Sequence, residues 1–180
     1  MGRVLDSIGD ELAAFLEAQP VFFVATAPSD PSGHVNCSPK GLDTFRVLDE
    51  RTVAYLDLTG SGIETVAHLR DNGRITLMFC AFAGRPKIVR LHGRGRVLPA
   101  DAPDAARYLT RFPDYPGARS VIVVDVERVS TSCGFGVPRM MLEEPRTELV
   151  EWANRKTEDG LAAYRAENNA ASIDGLPGLA

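Results

Sequence analysis

Apolar residues along this chain change their spacing several times, and each change marks an element. Leu5, Ile8, Leu12, Phe15 and Leu16 recur at three- and four-residue intervals, which predicts a first helix between Val4 and Ala18. Pro20 closes it, and V-F-F-V-A-T-A follows with the valine and phenylalanine content of a buried strand. The turn-rich P-S-D-P-S-G-H leads into H-V-N-C-S-P, the returning strand of a hairpin. Pro39 is expected at an edge or strand end, because it has no N–H to give to a ladder. A third strand, T-V-A-Y-L-D, runs into the glycine-rich turn T-G-S-G and a short helix. R-I-T-L-M-F-C-A-F and P-K-I-V-R-L-H-G-R-G-R-V-L read as two long antiparallel strands turning at Ala83, Gly84 and Arg85. Pro103 to Arg111 is a plausible helix, and S-V-I-V-V-D-V-E-R-V-S-T-S supplies the last strand.

About six strands with few crossover helices predict a mainly β chain with flanking helices, of α+β class. Its sheet is expected to close, fully or in part, into an antiparallel barrel, which removes exposed edges. From Pro145 the pattern becomes a charged helical segment interrupted near Gly160. There Leu149, Trp152 and Ala153 share a face that would dock on the barrel or on another subunit. The expected organisation is therefore a barrel domain over residues 1–140 and a C-terminal helical extension and tail over residues 141–180, packed on the same domain.

Composition narrows the class. With 180 residues, 44% hydrophobic and 24% charged, the chain can bury one full core. A formal charge of -4 gives no general attraction to nucleic acid or anionic lipid. Acidic residues interrupt the start where a signal peptide would be apolar, and no later run is suited to spanning a membrane. A soluble, cytoplasmic protein is the expectation. Cys37, Cys80 and Cys133 are odd in number and widely spaced, which favours reduced thiols over disulfides or a zinc site. His34, His68 and His92 show no metal-ligand spacing.

Two stretches carry candidate chemistry. The turn Thr59, Gly60, Ser61, Gly62 feeds a helix start, where free backbone N–H groups and small hydroxyls converge and can hold a phosphate. Ser61 to Glu64 also spells a capping box, S-x-x-E, which is helix initiation without any ligand and adds a negative charge to the first turn. Both readings stand. Strand alternation puts Arg90, His92, Arg94 and Arg96 on one face, either to receive an anion or as a solvated outer face, the reading preferred for Arg94 and Arg96.

The order H-V-N-C-S-P-K-G, then D-L-T-G-S-G-I-E-T before A-H-L-R-D-N-G-R-I-T-L-M-F, then S-C-G-F-G-V-P after the last strand resembles the pyridoxamine-phosphate-oxidase-like, FMN-binding split barrels. The resemblance spans residues 8 to 140. It implies an antiparallel split β-barrel and a homodimer with two FMN sites at the subunit interface. It also implies an oxidoreductase that passes hydride through the flavin to or from a small molecule. Carried onto this chain, it assigns the flavin phosphate to Thr59, Ser61, Gly62 and Thr65. Asn36, Ser38, Pro39 and Lys40 would border the ring or ribityl chain, with Lys40 as charge partner of the phosphate. Arg90 would reach the cofactor from the barrel face, and Cys133, Gly134 and Phe135 would approach the ring. Oxidases of the family end in an arginine- and tryptophan-bearing segment, whereas this chain ends in S-I-D-G-L-P-G-L-A, so no specific substrate is carried over. A deazaflavin-dependent reductase and a non-catalytic flavin-binding carrier or sensor remain as alternatives.

Overall fold

Alternating β-branched and aromatic residues build eight strands, all antiparallel, in the computed structural model, which describes residues 2–179. They are β1 (Arg3–Leu5), β2 (Phe22–Thr26), β3 (Asn36–Lys40), β4 (Phe45–Val47), β5 (Thr52–Leu58), β6 (Arg74–Cys80), β7 (Ile88–Pro99) and β8 (Ala118–Ser132). The sheet order is β3-β2-β6-β7-β8-β5-β4, and β1 also pairs with β8. Five helices accompany it: α1 (Asp10–Glu17), α2 (Glu64–Asp71), α3 (Ala106–Leu109), α4 (Glu148–Asn154) and α5 (Glu158–Asn168). A 3-10 turn, Pro103–Ala105, leads into α3.

The sheet curls until β3 comes back beside β5, with four strands between them in its order, so that Lys40 Nζ stands 3.4 Å from Asp57 Oδ1. No ladder joins β3 to β5, which leaves the barrel split there. Its interior is aromatic: Phe22, Phe45, Tyr55 and Phe79 pack with ring centroids 4.8 to 5.6 Å apart. A smaller core lies on the other face of β5 and β8, where Ala54, Leu56, Val121 and Val123 meet Phe112, Tyr108 and Leu109. Central strands buried on both faces read as continuous apolar runs, as V-I-V-V in β8 does.

The structure corrects several boundaries. The first helix starts at Asp10, and Val4 belongs to β1, opposite Ser130 of β8. Eight strands replace about six, because three-residue strands such as β1 and β4 are too short to show a period. The C-terminal helices part at Arg155 to Thr157, not at Gly160. Thr157 caps α5 by accepting from the Gly160 N–H, so Gly160 lies inside the first turn.

The G-R-G-R stretch of β7 has two steric causes. A β-bulge sits between His92 and Gly93, and a Cβ on Gly93 would run into the Asp125 carbonyl. At Gly95 a Cβ would stand 2.8 Å from Leu69, where α2 covers the barrel end. Among the described residues no helix is long and apolar enough to cross a membrane.

Candidate functional site

The site begins with an acid inside the barrel. Alternation along β5 turns Val53, Tyr55 and Asp57 to the barrel interior. Asp57 is buried, and a lone carboxylate there would be costly. It is answered by Arg119 Nε at 2.7 Å, Lys40 Nζ at 3.4 Å and the Ser120 hydroxyl at 3.3 Å. Burial alone would raise the Asp57 carboxyl, but Lys40 and Arg119 outweigh it and hold it below its ordinary value. Two cations share one anion, so the group keeps a net positive charge. Lys40 makes a single hydrogen bond with an ammonium that has three donors.

Arg119 also shapes the turn after β5. Its Nη2 donates to the Gly62 carbonyl at 2.8 Å, and its Nη1 donates to Asn169 Oδ1 at 2.8 Å and towards the Gly60 carbonyl at 3.4 Å. Asn169 Nδ2 donates to Gly60 O at 2.9 Å and Ser61 O at 3.4 Å. Three successive carbonyls therefore face the protein interior. The amides that open α2 have no intrahelical acceptor, and none of those of Glu64, Thr65 and Val66 donates to a group among the described residues.

The capping box does not form. The N-cap is Ile63, with no side-chain cap bond, and the Glu64 carboxylate folds back so that Oε2 lies 2.8 Å from where a Cβ on Gly62 would stand. With Arg119 and Asn169 fixing the turn from below, α2 needs no serine cap to set its start.

A polar cluster lines the gap between β3 and α2. Asn36 Nδ2 donates to Thr65 Oγ1 at 3.0 Å and towards Thr26 Oγ1 at 3.5 Å, and Thr26 shares a 2.9 Å hydrogen bond with His68 Nδ1. Burial holds His68 below its ordinary pKa, and burial with the Asp57 charge raises the Tyr55 phenol well above its own. His68 Nε2 and the Tyr55 hydroxyl are buried without a partner among the described residues. Buried polar atoms are nearly always satisfied, so these two orphans, one of them on the last turn of α2, mark a place built for more than packing.

The structure brings some of the expected residues together and separates others. Asn36, Ser38 and Lys40 lie on the inner side of β3, near Thr65 and Asp57, whereas Pro39 and Cys37 face outward on that edge strand. Ser61 and Gly62 are exposed on the turn. Thr59 is 1% exposed, and its hydroxyl already donates to the Gly117 carbonyl at 2.7 Å and accepts from Arg165 Nε at 2.9 Å. Arg90 lies on the outer face of β7 and donates to the Ser132 hydroxyl at 3.2 Å. Cys133, Gly134 and Phe135 follow β8 beside the β6–β7 hairpin, where a Cβ on Gly134 would stand 3.0 Å from the Lys87 nitrogen. No hydrogen bond among the described residues joins that group to the turn. Sequence reading missed Asp57, Arg119 and Asn169. The first two had a signal, a charge set into the apolar runs Y-L-D-L and A-R-S-V-I-V; Asn169 had none.

The family model described as pyridoxamine 5'-phosphate oxidase matches residues 8–133. A pyridoxamine 5'-phosphate oxidase family protein of Aspergillus flavus, ustO, is 43% identical over 191 residues, covering 97% of this chain and 76% of that protein. Among solved structures, a HupZ variant of Group A Streptococcus superposes with a TM-score of 0.56 at 25% identity, covering 69% of this chain and 99% of that one. An FAD-binding protein of Mesorhizobium loti superposes at 0.52 with 17% identity, covering 73% and 95%, a likeness of fold alone.

Proposed function

Since the chain belongs to the pyridoxamine 5'-phosphate oxidase family, we propose that it binds FMN at the turn after β5 and acts as an oxidoreductase on a small molecule. The observation that carries this reading is the inward pull of Arg119 and Asn169 on the carbonyls of Gly60, Ser61 and Gly62. It leaves a helix start whose N–H groups suit an anion, with Lys40 as the cation in excess. The donor set fits a flavin phosphate held by the Ser61 to Val66 amides and the Lys40 ammonium. Asn36, fixed by Thr65, borders the ribityl chain and ring. A bound flavin supplies hydride chemistry at its ring, while these residues bind, orient and exclude water.

Glu64 opposes the anion. Its carboxylate lies over Gly62, so Glu64→Gln is expected to tighten FMN binding by about two- to fivefold, the size of a charge effect at a helix terminus. Lys40→Ala is expected to weaken it about tenfold or more, the loss of one charged hydrogen bond. Flavin absorbance and fluorescence titrations of the purified protein measure both. An unchanged FMN spectrum on adding the protein would sink the reading. Turnover with a nicotinamide donor separates an oxidoreductase from a flavin carrier.

We further propose a homodimer. Residues 133–147 form no helix or strand and expose Phe135, Met140, Met141 and Leu142, with Met141 92% exposed. Monomers rarely leave such contiguous apolar surface in water, and a second copy would cover it. Met141→Glu should shift sedimentation towards the monomer; an unchanged distribution would place the interface elsewhere.

A further inference from the structure

The outer face of the sheet gathers cations that the flavin site does not use. The register sets His92 of β7 opposite Arg128 of β8 on one side and Thr76 of β6 on the other. In the adjoining row Arg90 stands between Ser130 and Met78. Residues opposite one another on one face of an antiparallel pair have Cβ atoms about 4.5–5.5 Å apart, so arginines on two strands flank one imidazole. His92 shares a 3.1 Å hydrogen bond with Thr76 Oγ1. Burial, then the charges of Arg128 and Arg90, hold its pKa below the ordinary value.

These charges lack partners of opposite sign. Arg90 bonds only the neutral Ser132 hydroxyl, and Arg128 makes no hydrogen bond or ion pair among the described residues. Two further exposed arginines are paired, Arg96 with Asp125 at 2.9 Å and Arg146 with Glu148 at 3.2 Å. The nearby carboxylate, Glu127, lies 3.4 Å from Arg94. Beside the cluster opens a hollow of about 410 Å³ lined by Thr26, Arg74, Thr76, His92, Arg94 and Glu127, which His92 joins to the two arginines beside it. Arg90 and Arg128 are diagonal neighbours on this face, and among the described residues neither has an acidic partner.

We propose that Arg90, His92 and Arg128 form an oxyanion site that takes the phosphate or carboxylate group of a small molecule, separate from the turn after β5. Guanidinium groups present paired donors that match both anions, and the hollow receives the rest of the molecule. The site does not depend on bound flavin.

Calorimetric titration of the full-length protein at low ionic strength tests it, with inorganic phosphate and acetate as separate probes. The expected result is saturable binding of at least one probe that survives in Lys40→Ala and in Arg96→Gln but weakens at least tenfold in Arg128→Gln and in Arg90→Gln. Saturation by phosphate alone or by acetate alone identifies the group recognised. In thermal melts without either anion, Arg128→Gln should be as stable as wild type or more so, because it removes repulsion. Absence of saturable binding for both probes overturns the proposal. So does binding lost in Lys40→Ala and kept in Arg128→Gln, or an Arg128→Gln protein that melts well below wild type.

Discussion

Replacing Arg119 by methionine is expected to destabilise the protein by about 3–5 kcal/mol, the usual result of removing one partner from a buried ion pair. Asp57 would keep its charge in the barrel interior with Lys40, 3.4 Å away, and the neutral Ser120 hydroxyl left to answer it. The carbonyls of Gly60 and Gly62 would lose their guanidinium donor, so the turn would loosen as well. For a chain of this length the loss corresponds to a fall in melting temperature of roughly 6–20 °C. Its pH dependence has a definite sign. In the wild type the Asp57 pKa is depressed, so its contribution is present above the unfolded value of about 4 and fades as pH falls through the folded pKa. In Arg119→Met the depression is lost, and the deficit should be largest near neutral pH and shrink in acid. The double variant Arg119→Met with Asp57→Asn should recover part of the loss at neutral pH. A single variant that melts with wild type at pH 7 would show that the pair contributes little.

Phe79→Ala is expected to cost about 3–5 kcal/mol by the transfer and cavity terms together. Phe79 is fully buried and touches two other rings, stacked on Phe22 at 5.4 Å and edge-on to Phe45 at 4.8 Å. These rings come from β6, β2 and β4, so the cavity would open between strands on both sides of the split. Phe79→Leu keeps most of the volume and should lose much less. Denaturant midpoints of the two variants check the ratio, and equal losses would mean that the site collapses freely.

Much of the fold was legible because its strands are amphipathic or uniformly apolar. Val89 and Leu91 point inward while Arg90, His92, Arg94 and Arg96 point outward, as alternation along β7 requires. The turn from Thr59 to Gly62 was found by its glycines and its place before a helix. What gives it shape was not legible, since Arg119 lies 57 residues after Gly62 and Asn169 lies 109 residues after Gly60. A helix cap is local and can be read from four letters. A turn held by a buried arginine is decided by tertiary contacts, and so the local motif S-G-I-E misled. Leu5 misled for the same reason, because pairing with Val129 of β8 overrode its helical spacing.

The fifteen-residue strand β8 sets the order in which this molecule can assemble. It alone joins β7 to β5 and β1, pairing Arg3 with Thr131 and Thr52 with Asp125. Without β8, the ladders leave two half-sheets with no strand pairing between them. One is β3-β2-β6-β7 and the other is β4-β5, each with an open edge. Contacts so distant in sequence slow closure and keep apolar strands exposed meanwhile. Chaperone demand during synthesis should therefore peak before β8 emerges, and a chain stopped ahead of Ala118 should aggregate.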